Sequence, residues 1–497
     1  MSIKSILAIP FAKRVATKFY KQSNNAVEVQ QKVLKSLIKK AKKTQFGKDH
    51  NFSKIKSYGD FKKQVPIRDY EALKLYVEKV VAGESDILWK RKPLYFAKTS
   101  GTTSGAKYIP LTKESMPMHI SAARNSLLMY IAETKKTDFV DGKMIFLQGS
   151  PELNEKNGIK TGRLSGISAH YIPQYLIKNR LPSWETNCIE DWETKVDAIV
   201  DETINENMTL ISGIPSWVQM YFEKITEKTG KKVGEVFPNF NLFVYGGVNF
   251  EPYRNKFEDL IGRKVDTIEL YPASEGFIAY QDSQTEKGMM LLVDNGMFYE
   301  FIPSEEFFDE SPTRLSLADV KIGVNYVIIL NTNAGLWGYN IGDTIEFLSI
   351  NPPRITVTGR IKHFISAFGE HVIGKEVEQA INENITNTTI GITEFTVAPQ
   401  ITPEEGLPYH EWFIEFDNEP ENLEDFAVKI DASMQQQNMY YFDLIEGKIL
   451  QPLKITRIEK GGFNNYMKSI GKLGGQNKVP RLSDNRKIAS ELSKFKI

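Results

Sequence analysis

Apolar positions in the first ninety or so residues recur three and four apart. In "VLKSLIKKAKK" (33–43), Val33, Leu34, Leu37, Ile38 and Ala41 share one face and lysines take the other, which predicts an amphipathic helix. Further along, short apolar runs bounded by turn residues alternate with helical spacing: "KMIFLQG", "MTLISGI" followed by "PSWVQMYFEKI", "NLFVYGG" and "DTIELYP". Strand, turn and helix in repetition predict a mostly parallel sheet. Past residue 285 the pattern shifts to "MMLLVDNGMFYEFIP", "NYVIILNT" and "LWGYNIGDTIEFLSI", with glycine and asparagine at the breaks. That pattern predicts an antiparallel meander or distorted barrel.

From "GRIKHFISAFGEH" onward the elements shorten: a helix at "GKEVEQAINEN", strands at "EFTVAPQ" and "HEWFIEF", then a helix through "NLEDFAVKIDASMQQQ". The fold class expected is therefore α/β. A large N-terminal domain (1–358) would combine parallel or mixed sheets and helices with a β-barrel-like subdomain. A small α+β domain (359–497) would follow. No low-complexity linker separates them, so the boundary at 359–362 reads as a tight hinge.

Composition narrows the function. A chain of 497 residues is too long for one ordinary core, and two lobes invite a cleft. It is 41% hydrophobic and 25% charged, with 63 basic against 62 acidic residues, a balance that gives no reason to expect nucleic acid as the main partner. The one cysteine, Cys188, excludes an internal disulfide and a multi-cysteine zinc site and fits a reducing cytoplasm. The six histidines, at 50, 119, 170, 363, 371 and 410, show no ligand-spaced cluster. No window approaches the roughly 18 apolar residues a spanning helix needs, so stable membrane insertion is not expected. Monomer and dimer both stay open.

The chemistry-bearing stretches are loops. "KTSGTTSGAKYIP" (98–110) crowds hydroxyls and glycines around two lysines. Backbone N–H groups of such a turn, with Ser100, Gly101, Thr102, Thr103, Ser104 and Gly105, can wrap phosphate oxygens, although a surface turn has the same composition. It is not a Walker A loop, because Gly105 is followed by Ala106, Lys107 and Tyr108 rather than by Lys-Ser/Thr. "DTIELYPASEGF" ends a strand in a turn where Tyr271 can lie against a planar ring and the Glu275 carboxylate can meet Mg²⁺ bridging phosphates, or where the aromatic merely packs. In "YNIGDTIEF", Asp343 can accept the hydroxyls of a ribose or close an ordinary Gly-Asp turn. "GGQNKVPRL" carries Lys478 on a glycine-led loop, able to neutralise a phosphate or to sit in solvent.

Taken in order, these stretches resemble one family, the acyl acid amido synthetases of the Gretchen Hagen type, the auxin- and jasmonate-conjugating group within the adenylate-forming superfamily. Residues 98–110 resemble its phosphate loop, "YPASE" (271–275) its Tyr-Gly-x-Ser-Glu motif, "YNIGD" (339–343) its Tyr-Arg-x-Gly-Asp motif, and "QNKVPRL" (476–482) its terminal Tyr-Lys-x-Pro-Arg segment. "QQKVLKSLIKKAKKTQFGKDHNF" and "QVPIRDYEALKLYVEKVVAGESDILW" also look like family signatures. "GRIKHF" (359–364) resembles the superfamily hinge. Asn340 stands where the motif often has arginine, which leaves Arg360 or His371 as substitute cations. Pro272 stands where it often has glycine.

The resemblance implies a two-step reaction using ATP and Mg²⁺: a carboxylic acid becomes an acyl-adenylate with release of pyrophosphate, and an amine, most naturally an amino acid, then displaces AMP. It implies that Ser100, Gly101, Thr102 and Thr103 hold phosphates, that Tyr271, Ala273 and Ser274 border the adenine, and that Glu275 meets the metal. Asp343 would bind the ribose, Lys478 would sit near the α-phosphate, Arg360 would lie near the nucleotide, and Lys362 would be the pivot. Between the sheet and the helix beginning at "GIPSWVQMYF", bordered by "RLSGISAHYIP", Tyr171, Trp217 and Met220 can line an apolar acyl slot, although the pattern alone suits each better to a plain core position. An acyl-CoA ligase and a non-catalytic nucleotide-binding protein of the same fold are the alternatives.

Overall fold

The computed structural model describes residues 3–102, 105–172, 177–247, 250–361, 364–365, 370, 372–446, 449–474, 478–483 and 485–497. Its contacts divide it into two units, residues 1–248 with 260–356, and residues 249–259 with 357–497.

The first unit opens on two helices, α1 (Ile3–Ser23) and α2 (Ala26–Ala41). The predicted stripe of α2 is buried: Val33, Leu34, Leu37, Ile38 and Ala41 all face the core. Fifteen strands follow in order: β1 (Tyr95–Thr102), β2 (Gly105–Leu111), β3 (Lys143–Phe146), β4 (Asn154–Lys156), β5 (Ile159–Gly162), β6 (Arg180–Leu181), β7 (Met208–Ser212), β8 (Leu242–Gly246), β9 (Asp266–Ala273), β10 (Gly276–Tyr280), β11 (Met289–Leu291), β12 (Met297–Pro303), β13 (Asn325–Thr332), β14 (Tyr339–Ile350) and β15 (Pro353–Arg360). Eleven of them form one sheet in the order β12-β13-β14-β15-β11-β10-β9-β8-β7-β3-β6, and β2-β1-β5-β4 form a second.

The large sheet changes character at one hairpin. Strands β6, β3, β7, β8 and β9 run parallel to their neighbours. Parallel neighbours need crossovers, and the helices Pro215–Thr229 and Glu251–Ile261 supply two of them. Ala273 then pairs with Gly276, and only Ser274 and Glu275 turn the chain. So short a turn can join only antiparallel strands, and the pairings of β9 with β10, β10 with β11, β11 with β15, β12 with β13 and β13 with β14 are all antiparallel. The expected switch near residue 285 thus falls at 273–276. The expected barrel-like subdomain is an extension of the same sheet, with no closed barrel among the described residues.

Buried polar groups join the helices to this sheet. Gln30 of α2 donates to the carbonyls of Val293 (2.7 Å) and Met297 (2.9 Å) and accepts from the Tyr299 N–H (2.9 Å). Glu300, fully buried on β12, accepts from Arg314 Nη2 at 2.7 and 2.8 Å, from Arg314 Nε at 3.0 Å and from the Tyr58 hydroxyl at 3.0 Å. Each ion and amide is matched by partners, as burial demands.

The second unit holds the hairpin β16 (Phe364–Ile365) and β17 (Val372–Ile373), and a three-stranded sheet of β18 (Gly391–Gln400), β19 (Tyr409–Asn418) and β20 (Lys454–Ile458). The helices Gly374–Ile385 and Leu423–Gln437 cover that sheet, with Val377, Ile381, Phe426 and Ile430 against Val397, Trp412 and Ile414. This is the small α+β arrangement read from the sequence. His410 meets Glu370 at 2.9 Å inside it, both fully buried.

Candidate nucleotide and acyl site

The hydroxyl-rich stretch is a hairpin. Lys98 pairs with Tyr108, Thr99 with Lys107 and Thr102 with Gly105, and one extra residue on β1 bulges between Thr99 and Thr102. Thr103 and Ser104 lie outside the described residues, as do the side chains of Ser100 and Thr102. A bulge beside a tight turn leaves backbone N–H groups off the ladder, the condition a phosphate-holding loop requires.

Tyr271 and Ser274 are both buried on the β9–β10 hairpin, and Ala273 and Glu275 are half-buried beside them. Pro272, the departure from the motif, is exposed and faces Phe277 across the hairpin. It pairs there without leaving the strand.

Asp343 owes its position to a bulge in β14. Val327 pairs with Thr344 and Ile329 with Asn340, so two steps along β13 correspond to four along β14. The three residues between, Ile341 to Asp343, stand against one on β13 and leave the ladder at Gly342, whose φ of +88° a side chain would strain. Asn340 closes the bulge: its side-chain oxygen accepts the Gly342 N–H at 2.8 Å, and its own N–H donates to the Arg68 carbonyl at 2.8 Å. Where the motif often has a cation, this chain has a buried brace.

The Tyr271 hydroxyl donates to Asp343 Oδ2 at 2.7 Å. Three strands, β10, β11 and β15, lie between β9 and β14 in the sheet. Flat, the sheet would hold them about 19 Å apart at the usual strand spacing. The sheet therefore curls on itself here, and the curl brings the tyrosine of the β9–β10 hairpin onto the aspartate of the β14 bulge. A second pair crosses the same gap. The Tyr339 hydroxyl of β14 faces Glu275, and burial together with that carboxylate pushes the phenol well above its ordinary range. Tyr339 thus stays protonated, a neutral hydroxyl beside the carboxylate.

The segment 66–70, outside the motifs named for the site, links two of the three loops. Arg68 bridges Tyr339 in parallel and donates its N–H to the Gly338 carbonyl at 2.8 Å. A side chain at Gly338 would collide with the Pro66 carbonyl. Tyr70 accepts the Tyr108 N–H at 2.9 Å and lies under the Lys107 ammonium, 5.7 Å from its ring centre, while its phenol and Asp69 act electrostatically on Tyr339. Asp69 caps the helix Tyr70–Val81 by accepting from Ala72. The signal was present in "PIRDY": a polar cap directly after an extended X-Pro step.

The remaining named residues stand elsewhere. Trp217 is buried with its ring 4.4 Å from that of Trp192, in the contact between the helices Trp192–Thr203 and Pro215–Thr229. Met220 is half-buried one turn on. The Tyr171 hydroxyl donates to that of Tyr95 at 3.2 Å, and burial raises its pKa. Arg360 ends β15 and is exposed; both it and the exposed Lys478 belong to the second unit. Lys362 and His371 lie outside the described residues.

Family models match most of the chain: the GH3 family N-terminal domain at residues 15–187 and 176–265, the central domain at 290–360 and the C-terminal domain at 375–487. A jasmonoyl–L-amino acid synthetase, JAR4, of Nicotiana attenuata is 19% identical over 544 residues, covering 94% of this chain and 93% of its own. Among solved structures, the GH3.15 acyl acid amido synthetase superposes with a TM-score of 0.79 at 16% identity, covering 96% of this chain and 95% of that one. A 2-hydroxyisobutyryl-CoA ligase in its postadenylation state gives a TM-score of 0.60 at 12% identity over 94% and 91%. The fold is that of the adenylate-forming enzymes, and this chain belongs to the GH3 family.

Proposed function

We propose that this GH3-family chain is an ATP-dependent acid–amino acid ligase. The observation that carries the reading is the curl of the large sheet. It sets Tyr271, Glu275, Tyr339 and Asp343 around one space, beside the hairpin 95–111 that Tyr70 ties to it.

In the first step a carboxylate oxygen attacks the α-phosphorus of ATP, the bond to the β-phosphate breaks, and pyrophosphate leaves. The problem is the approach of two anions, so the chain's task is positioning and charge neutralisation. Ser100, Gly101, Thr102, Thr103, Ser104 and Gly105 hold the phosphates. Tyr271, Ala273 and Ser274 bound the adenine, and Asp343 accepts the ribose hydroxyls. Lys478 meets the α-phosphate, and Arg360 offers the second cation that Asn340 does not.

The residues fit Mg²⁺ held with the nucleotide. Among the described residues no three His, Cys, Asp or Glu side chains could hold an ion by themselves. Glu275 is a single carboxylate at the turn, which suits an ion whose shell is completed by phosphate oxygens and water. Bound there, the ion would neutralise phosphate charge.

In the second step an amine attacks the acyl carbon, the bond to AMP breaks, and the amine proton is lost. Residues 359–362 serve as the hinge and Lys362 as its pivot, allowing the domain 359–497 to shield the adenylate from water on the domain 1–358. The division of contacts between residues 356 and 357 supports that boundary. Tyr171, Trp217 and Met220 are the residues we assign to the acyl side.

The test is acid-dependent exchange of labelled pyrophosphate into ATP across aromatic, fatty and amino acids, followed by product mass with amino acids or coenzyme A. Exchange with one acid class and an amide product is the expected result. A thioester would make the chain an acyl-CoA ligase, and ATP binding without exchange for any acid would make it non-catalytic.

A further inference from the structure

The balanced charge of the whole chain conceals a division. The first 48 residues carry twelve lysines and arginines against one acidic residue, Glu28, out of 63 and 62 overall, so the remainder holds 51 basic against 61 acidic. A charge asymmetry of this kind marks a surface built for a polyanion.

Helix α1 gives that charge a direction. It has no acidic residue. Ala12 and Ala16 are buried, Phe19 stacks on Tyr280 at 5.3 Å, and the Tyr20 hydroxyl donates to Asp282 at 3.0 Å, itself forked to Arg354. These anchors fix one face of the helix on the first unit. The opposite stripe, spaced i, i+4, i+7, i+11, i+14, is Leu7, Phe11, Arg14, Lys18 and Lys21, all exposed. Leu7 is 64% exposed and Phe11 49%. Among the described residues none of the three cations makes an ion pair.

We infer that α1 docks on an anionic lipid surface, Leu7 and Phe11 entering the interface and Arg14, Lys18 and Lys21 lying among the headgroups. Charge alone would suit nucleic acid or an acidic protein. Two large apolar side chains in line with the cations favour lipid, because an interfacial helix gains from both terms at once. No helix among the described residues is long and apolar enough to cross a membrane, so the contact is peripheral.

The experiment is sedimentation of the full chain with sucrose-loaded vesicles of phosphatidylcholine alone, or of equimolar phosphatidylserine and phosphatidylcholine. Binding is expected only with phosphatidylserine, weakened about tenfold or more in Leu7→Ser/Phe11→Ser and about fivefold per charge in Arg14→Glu and Lys18→Glu. A Phe11→Trp variant should shift its emission to the blue on the same vesicles. These positions lie outside the nucleotide and acyl site, so pyrophosphate exchange should be unchanged in every variant, which checks the fold. Failure to sediment with phosphatidylserine vesicles overturns the inference. So does binding that ignores Leu7→Ser/Phe11→Ser and is competed away by duplex DNA, since a purely electrostatic partner would then be the occupant.

Discussion

Tyr271 and Asp343 meet at 2.7 Å although three strands separate them in the sheet. The phenol orients the carboxylate that we assign to the ribose. If that is its use, the two residues act as a unit. Asp343→Ala should raise the KM for ATP in pyrophosphate exchange by about tenfold or more, the worth of one or two hydrogen bonds to a charged group. Tyr271→Phe should raise it less, and the double variant should be no worse than Asp343→Ala alone. Effects that multiply independently would show that the bond does not position Asp343.

The bulge at Ile341–Asp343 gives a second test. Gly342→Ala places a side chain at φ +88°, at a cost of about 1–2 kcal/mol, and the bulge can relax only by moving Asp343. Asn340→Ala removes the brace on the Gly342 N–H, worth about 1 kcal/mol, and leaves that group unsatisfied. Both should raise the KM for ATP more than they lower the thermal midpoint. Asn340→Arg, which restores the more frequent residue, should behave like Asn340→Ala unless the arginine itself reaches the nucleotide.

Much of this arrangement is written in local pattern, and the rest depends on tertiary geometry. The parallel strands, their crossover helices and the small α+β unit follow from periodicity and turn residues. The apolar runs 208–212, 242–246 and 325–332 became strands, and the stripe of α2 turned inward. The order of motifs named the family. Hidden was the curl that lets Tyr271 reach Asp343, since no local pattern records how far a sheet bends. The same holds for the link through Arg68 and Tyr70, which joins segments hundreds of residues apart in one case and a few dozen in the other. Asn340 read as a lost cation because a sequence shows what replaced the arginine, and not that the amide would cap a glycine two residues on.

The loop of Lys478 is held by a residue three positions away. Arg481 is pinned between Glu394 and Glu378 and donates to the Tyr253 hydroxyl at 2.8 Å over the rings of Tyr253 and Phe395. Its carbonyl accepts from Val397 at 3.0 Å, and the Ser483 N–H returns to Val397 at 2.8 Å. Arg481→Met would leave two carboxylates partly buried without their cation, a loss of about 3–5 kcal/mol in the second unit. Adenylation kcat should fall with little change in the KM for ATP if Arg481 positions Lys478. Arg481→Lys should recover stability only in part, because an ammonium cannot span both carboxylates and stack on the rings. Full activity in a destabilised Arg481→Met chain would remove the link to Lys478.

His119 sets a pH limit on the fold. It lies on the helix Met116–Thr134, 4% exposed, with neither ring nitrogen hydrogen-bonded, and burial pushes its pKa down to about 4. The folded chain therefore holds the ring neutral, whereas the unfolded chain protonates it near pH 6.5. Between those values the unfolded state binds more protons, so stability rises with pH. The contribution is complete above about pH 6.5 and is lost as pH falls toward 4, roughly 3 kcal/mol in all. His50 adds to it with the same sign: burial lowers its pKa, and its neutral Nε2 faces the Arg68 guanidinium at 2.8 Å. Carboxylates titrate over the lower part of this range, so the measurement is the difference between the native chain and His119→Phe in denaturant unfolding from pH 7 to 4.5. The native chain should lose more stability than the variant as pH falls. Parallel curves would mean that the imidazole finds a proton acceptor or water on protonation, and that its burial is not what limits the fold in acid.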